Sequence, residues 1–91
     1  MQRVPLTFLH PTKSTERYEM SVAPEATARQ TVVQLIKGDQ EGPWLEPEPA
    51  GRPYELVLNR TAKVIPSNVT IGGAGVISGD VIAVMQPGQG A

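Results

Sequence analysis

The chain is 91 residues long, which is enough for one domain with a modest core and too short for two. Its formal net charge of −1 provides no basic field to attract nucleic acid, and the lack of cysteine excludes disulfides, cysteine–zinc sites and thiol catalysis. Nine glycines and nine prolines, with a hydrophobic fraction of 40%, favour a small fold with many turns. No apolar run approaches the roughly 20 residues of a membrane span and no signal peptide opens the chain, so we expect a soluble, cytoplasmic protein with no nucleic-acid or membrane partner.

A hairpin is predicted at the start of the chain. Residues 4–9 and 18–22 each carry large apolar side chains at alternate positions, which is the period of a half-buried strand. Residues 10–15 between them have turn chemistry. Pro5 has no N–H to donate, so the first strand has an unpaired side or pairs irregularly there, and an exposed edge at Pro5 would permit association by strand addition.

A helix of about ten residues is predicted next. Thr27 is followed three residues later by a glutamine, which fits a capping box. Apolar residues between positions 28 and 36 share one face at helical spacing. Lys37 suits the negative end of the helix dipole, and Gly38 stands where a left-handed cap is expected.

The rest of the chain is predicted to contain one long loop and three strands. Residues 39–53 hold four prolines and cannot form a regular element. Residues 54–59 alternate as a strand, residues 63–65 are a candidate short strand, and residues 80–85 form the last strand after a glycine-rich connector at 69–76. A hairpin, a helix and a returning set of strands indicate an α+β sheet with one covered face.

This order of elements resembles the β-grasp fold of ubiquitin-like proteins. Val22–Thr27 resembles ubiquitin's entry into its helix, and Val69–Ile71 followed by Gly79–Val84 resembles the connector and closing strand of the family. Six residues then follow the last strand, as in ubiquitin. The resemblance implies a mixed sheet of four to five strands with one helix packed across it, in a domain of residues 1–85 followed by a flexible tail at 86–91.

The tail carries the reactive end that the resemblance implies. Conjugated members of the family end in Gly-Gly after processing, whereas here Gln89 precedes Gly90 and Ala91 closes the chain. The nearest functional match is to bacterial ubiquitin-like modifiers, which implies that a peptidase removes Ala91 and that the Gly90 carboxyl is then joined to target amines. The implied partners are an activating enzyme, a conjugating enzyme, a processing or deubiquitinating-type peptidase, and target proteins. The chain itself is expected to bind no cofactor and to be no enzyme.

Two other functions remain open. A non-conjugated interaction module, like the small ubiquitin-like component of some bacterial secretion systems, would keep Ala91 and work through its sheet face. A sulfur carrier for cofactor biosynthesis shares the glycine-bearing tail and the Gly79–Asp80 turn, but such carriers normally end in Gly-Gly without trimming.

A partner-binding patch is predicted on the sheet. The leucines on either side of Val57 are expected in the core, so Val57 points outward, because strand side chains alternate. The same alternation turns Ala83 and Met85 outward and places Leu9 in the opposite phase to the buried position before it. Leu9, Val57, Ala83 and Met85 together resemble ubiquitin's apolar patch, and an exposed apolar cluster is typical of a docking surface.

Other conspicuous residues are predicted to have structural roles. Trp44 is expected to fold back over the core edge in preference to serving as an interface anchor. His10 is interpreted as a turn residue, since no metal-ligand or catalytic constellation accompanies it, and Asp80 as the cap of a turn. The glycines at 72–75 serve close turning, because no helix follows them as a phosphate-binding loop requires. A solvated acidic rim is expected from three loop glutamates: Glu41, Glu46 and Glu48.

Overall fold

The computed structural model describes residues 3–13, 15–38, 42–48 and 53–86. Across these ranges, five strands form one mixed sheet and one helix packs on one of its faces. This confirms the predicted α+β fold of four to five strands with one helix. The elements are β1 (Val4–Leu9), β2 (Arg17–Val22), α1 (Ala28–Lys37), β3 (Glu55–Leu58), β4 (Lys63–Ile65) and β5 (Val81–Met85).

The strand order across the sheet is β2-β1-β5-β3-β4, with β1 and β5 parallel and the other neighbours antiparallel. The predicted exposed edge at Pro5 is therefore wrong, because β1 is internal and the edges are β2 and β4. Thr7 donates its N–H to the Asp80 carbonyl (3.1 Å), and the Pro5 carbonyl accepts from the N–H of Gly79 (2.8 Å). Residue pairing between β1 and β5 begins only at Thr7. The nitrogen of Pro5 therefore lies before the first paired residue, where the sheet needs no N–H donor.

The core lies between one face of the sheet and the inner face of α1. Alternation along each strand sends every second side chain inward, as the sequence predicts for the strand that contains Val57. Besides residues of the long loop, the buried apolar side chains are Leu6, Phe8, Val22, Ala28, Val32, Leu35, Tyr54, Leu56, Leu58, Ile65, Ile71, Val76, Ile82 and Val84.

The ends of α1 follow the sequence closely, with one difference. Thr27 Oγ1 accepts from the Gln30 N–H (3.1 Å) and Gln30 Oε1 accepts from the Thr27 N–H (2.9 Å), which is the predicted capping box. Gly38 donates its N–H to the Gln34 carbonyl (2.9 Å), but its φ of 70° and ψ of −148° are not the left-handed helical cap that the sequence predicted. A Cβ at Gly38 would overlap the Gly42 carbonyl, so close approach of the chain as well as positive φ requires glycine.

The long connection after α1 packs on the core through Leu45 and Trp44. Leu45 is 1% exposed, and the N–H groups of Trp44 and Leu45 both donate to the Leu35 carbonyl of the last helical turn (3.3 Å each). Trp44 folds back against the core edge as predicted, stacked on Tyr18 (ring centroids 5.4 Å apart) and edge-on to His10 (5.0 Å). Among the described residues its buried Nε1–H has no hydrogen-bond partner. This described part of the loop therefore contributes to the hydrophobic core.

The predicted solvated acidic rim is wrong for Glu48. Its carboxylate accepts from Arg29 Nη1 (2.6 and 2.7 Å) and from the Tyr54 N–H (2.7 Å), and its side chain is only 12% exposed. Glu46 is exposed as expected, and its carbonyl accepts from the Tyr54 hydroxyl (3.1 Å), whereas Glu41 lies outside the described residues. Burial, followed by the nearby charges of Glu46 and Glu48, raises the pKa of Tyr54.

The turns use the residues that the sequence assigned to them. His10 Nδ1 accepts from the N–H groups of Thr12 and Lys13 (3.2 Å each), so His10 is the turn residue that was predicted. Gly75 and Gly79 have φ of 81° and 87°, a conformation that favours glycine and supports the close-turning interpretation.

Candidate functional site

The sheet face opposite α1 carries a row of apolar side chains. The pairing registers place Leu9 opposite Ala83, Ala83 opposite Val57, and Val57 opposite Val64. Because neighbouring strands lie about 4.8 Å apart, this row crosses four strands over roughly 14 Å. We call these four residues together with Met85 the open-face patch.

All four residues predicted for a docking patch lie on this face. Leu9, Val57 and Ala83 stand directly side by side, and Met85 lies two residues further along β5, opposite Glu55. Each of the four is half-buried, because side chains on adjacent strands cover one another. The patch is therefore a shallow apolar surface in the plane of the sheet.

Sequence reasoning missed Val64, which is 53% exposed and is the most open member of the patch. A signal for it existed, since Ile65 is apolar and buried, and alternation then turns Val64 outward. Its position beside Val57 depends on the register between β3 and β4, which the sequence of so short a strand does not specify.

Charged residues border the open-face patch on two sides. Arg17 of β2 lies opposite Leu9 at one end of the row, and Glu55 of β3 lies opposite Met85. Glu19 lies two residues beyond Arg17 on the same face of β2, opposite Thr7. An apolar centre with a polar rim is the usual composition of a protein-docking surface.

The hairpin that carries Val57 and Val64 is fixed to the base of β5 by Asp80. This side chain is 7% exposed; it accepts from the Ile77 N–H (2.9 Å), as the turn-cap prediction requires, and from Arg60 Nε (3.0 Å) and Nη2 (3.1 Å). The hydrogen bonds from Arg60 and then from Ile77 hold the pKa of Asp80 below its usual range, and the same pairing raises the pKa of Arg60. Arg60 is 20 residues from Asp80, so no local pattern predicts the pair.

The C-terminal segment starts at the open-face patch. Met85 ends β5, and the next residue, Gln86, is half-buried. Gly90 and Ala91, the predicted conjugation and processing residues, lie outside the described residues. Two members of the patch, Ala83 and Met85, thus lie on the same central strand as the root of the predicted tail.

Other kinds of site find little support in the described ranges. No three histidine or acidic side chains gather there as metal ligands. In the same ranges, α1 has neither the length nor the hydropathy to cross a membrane. Ile77 is 59% exposed but lies in the connector before β5, outside the patch.

Comparisons with known proteins agree with the architecture. A scan against protein-family models gave no match, and a search of curated proteins found no similar sequence. Among solved structures, the ubiquitin of Caldiarchaeum subterraneum is similar, with a TM-score of 0.70 and 16% sequence identity over 99% of this chain and 100% of that one. The likeness extends over the full length of both chains, so the sheet and the helix match together. The chain folds as a ubiquitin-like β-grasp protein.

Proposed function

We propose that this chain is a cytoplasmic ubiquitin-like protein modifier and is not itself an enzyme. A processing peptidase hydrolyses the Gly90–Ala91 bond and releases alanine. An activating enzyme joins the Gly90 carboxyl to AMP from ATP with loss of pyrophosphate, and its cysteine thiolate then displaces AMP to form a thioester. A conjugating enzyme carries the acyl group to a target amine, which forms an amide and frees the thiol.

The observation that carries this proposal is that β5 contributes Ala83 and Met85 to the open-face patch and leads directly into the tail. Gly90 is five residues beyond Met85, a distance of at most about 18 Å when the chain is extended. An enzyme docked on Ala83 and Met85 is therefore within reach of the Gly90 carboxyl. Gly90 has no side chain beside its own carboxyl, which leaves that carboxyl open to a narrow active site.

The chain contributes to the chemistry by presenting its docking patch and its C-terminal carboxyl to the partner enzymes. The ion pair between Arg60 and Asp80 ties the turn after β3 to the base of β5, which favours a patch that is formed before a partner binds. A rigid docking surface lowers the entropy lost on association. ATP, the nucleophilic cysteine and the proton transfers all belong to the partner enzymes.

The first test asks whether Gly90 is conjugated. The tagged chain would be produced in its native host with Pro87→Arg, so that trypsin leaves a Gly-Gln-Gly remnant on the acceptor lysine. We expect remnant-bearing lysines on host proteins and an intact mass that lacks alanine. Gly90→Glu in the same background is the matched control and should abolish both. Retained Ala91 with no adducts of higher mass would refute conjugation.

The second test asks whether the open-face patch binds the partners. Val57 is central to the row, and its replacement by glutamate puts a charge where an apolar surface must be desolvated. We expect Val57→Glu to keep its fold and to slow capture of the chain by an activating enzyme purified from the host. Asn59→Glu, which adds the same charge at an exposed position on the next turn, should behave as wild type. Global unfolding of Val57→Glu would show that Val57 is a core residue.

The open-face patch also supports the second candidate, a non-conjugated interaction module, because docking on it needs no processing. Retention of Ala91 together with loss of partner binding in Val57→Glu would favour that function. A thiocarboxylate at the C-terminus would instead identify a sulfur carrier.

A further inference from the structure

The strand β2 forms one edge of the sheet in the strand order. The Thr7 N–H and the Pro5 carbonyl point toward β5. The backbone N–H and C=O groups of the even-numbered residues of β1 therefore point toward β2. Their partners in β2, which are Tyr18, Met20 and Val22, direct their own backbone groups back toward β1. The backbone groups of Arg17, Glu19 and Ser21 therefore point away from the sheet. Within the described residues, no strand pairs with that side.

Only part of this edge is accessible. Arg3 Nη1 donates to the Ser21 carbonyl (3.3 Å) and so covers the C-terminal end of the edge. Arg17 and Glu19 remain open, with exposed side chains that take part in no ion pair among the described residues. Charged side chains and prolines commonly protect a strand edge against self-association. Charges oppose pairing of two identical edges when like charges meet across the strands. Here the two accessible residues carry opposite charges.

That pair of charges is self-complementary. In an antiparallel pair of two β2 edges centred on Tyr18, Arg17 of each copy lies opposite Glu19 of the other, and the twofold axis makes the contact twice. The register is allowed because residues 17 and 19 both turn their N–H and C=O groups outward, so each opposed pair exchanges both backbone bonds. A register shifted by two residues toward Ser21 would need the carbonyl that Arg3 already occupies.

We propose that two copies of this chain associate by antiparallel pairing of their β2 outer edges, with Arg17 of one copy opposite Glu19 of the other. This proposal goes beyond the modifier function and does not depend on it. Opposite charges placed directly across two strands stabilise their pairing, whereas like charges destabilise it.

Two further features fit a second copy at this edge. Between β2 and α1 lies a groove of about 570 Å³, lined by residues that include Met20, Val22 and Gln34, which gives room for side chains of an added strand. In this register Glu16, just before β2, would lie opposite Met20 of the second copy. It would therefore be near the second copy's Arg3, which covers the Ser21 end of that copy's β2 edge. The continuous sheet would carry both helices on one side and both open-face patches on the other, so the patches stay accessible.

The test is a charge-reversal cycle read out by sedimentation equilibrium. An interface this small is weak, so wild type would be measured from about 10 μM to about 1 mM. Arg17→Glu and Glu19→Arg each make both contacts repulsive, and we expect each to raise the dissociation constant at least about tenfold. An equimolar mixture of the two variants restores both opposite-charge contacts and should restore dimers as heterodimers. Lys63→Glu and Glu55→Arg are the matched controls, since they make the same charge changes on exposed residues of β4 and β3.

Amide hydrogen exchange gives a second readout. The N–H groups of Arg17 and Glu19 should exchange more slowly as wild-type concentration rises, and should not do so in either single variant. Thermal unfolding at low concentration checks that the variants are folded. A monomer throughout the concentration range would overturn the proposal and leave the edge to a strand from another protein. Dimers that persist in both single variants, or a mixture that stays monomeric, would also overturn it.

Discussion

Replacing Leu45 by alanine tests whether the long loop belongs to the cooperative core. Leu45 is 1% exposed in a segment without regular structure, anchored by backbone hydrogen bonds to the Leu35 carbonyl. Truncating a fully buried leucine costs about 2–5 kcal/mol through lost burial and the cavity left behind. In a domain of this size, each kcal/mol lowers Tm by about 4–8 °C, so we expect a loss of Tm on the order of 8–40 °C.

The chain supplies its own reporter for this experiment. Trp44 is its one tryptophan and lies next to Leu45, so tryptophan fluorescence follows the loop while far-UV circular dichroism follows the whole fold. We expect the two urea transitions to coincide in wild type and in Leu45→Ala, with a lower midpoint in the variant. Glu46→Ala, at the exposed neighbouring position, should change stability by less than about 0.5 kcal/mol. Separate transitions, or a loss below about 1 kcal/mol for Leu45→Ala, would refute the inclusion of the loop in the core.

Three further substitutions probe local features of the structure. Ala62 has a φ of 57°, which costs an alanine more than a glycine, so Ala62→Gly should raise the free energy of unfolding by about 0.5–1 kcal/mol in urea titrations, and a loss would contradict the strain. Asp80→Asn should destabilise the fold at neutral pH. The pKa of Asp80 is lower in the folded state than in the unfolded state. The stability that the ionised Asp80 contributes is therefore complete above the unfolded pKa of about 3.9 and disappears as pH falls through the folded pKa. The difference in Tm between wild type and this variant should therefore shrink below about pH 4, and a constant difference would argue against the Arg60 pairing. Trp44→Phe should change stability by less than about 1 kcal/mol by circular dichroism, because loss of the unpartnered buried Nε1–H offsets the smaller buried area, and a large loss would mean that this N–H has a partner.

Local patterns predicted the elements because their causes are local. The capping box at Thr27 and the outward phase of Val57 follow from neighbours within a few residues, and the structure has both. Asp80 capping its turn is a contact over three residues of sequence. Strand phase and helix capping depend on neighbouring residues and not on what packs against each element.

Contacts between distant residues did not follow from such patterns. Arg29 and Glu48 are 19 residues apart, and a glutamate among prolines looks solvated until the fold brings a guanidinium to it. The sequence shows that Pro5 lacks an N–H, but it does not show which strand lies beside β1. In the structure β5 lies between β1 and β3, so β1 is internal and not an edge.

By itself, the sequence determined the order of the elements, the N-terminal cap of α1 and the buried face of each strand, because periodicity and capping chemistry act over a few residues. Only the tertiary structure decided which strands are edges, which side chains stand beside Val57, and which cation pairs with Asp80. Those features depend on strand order and register, which are fixed by the packing of the whole core and not by any one segment.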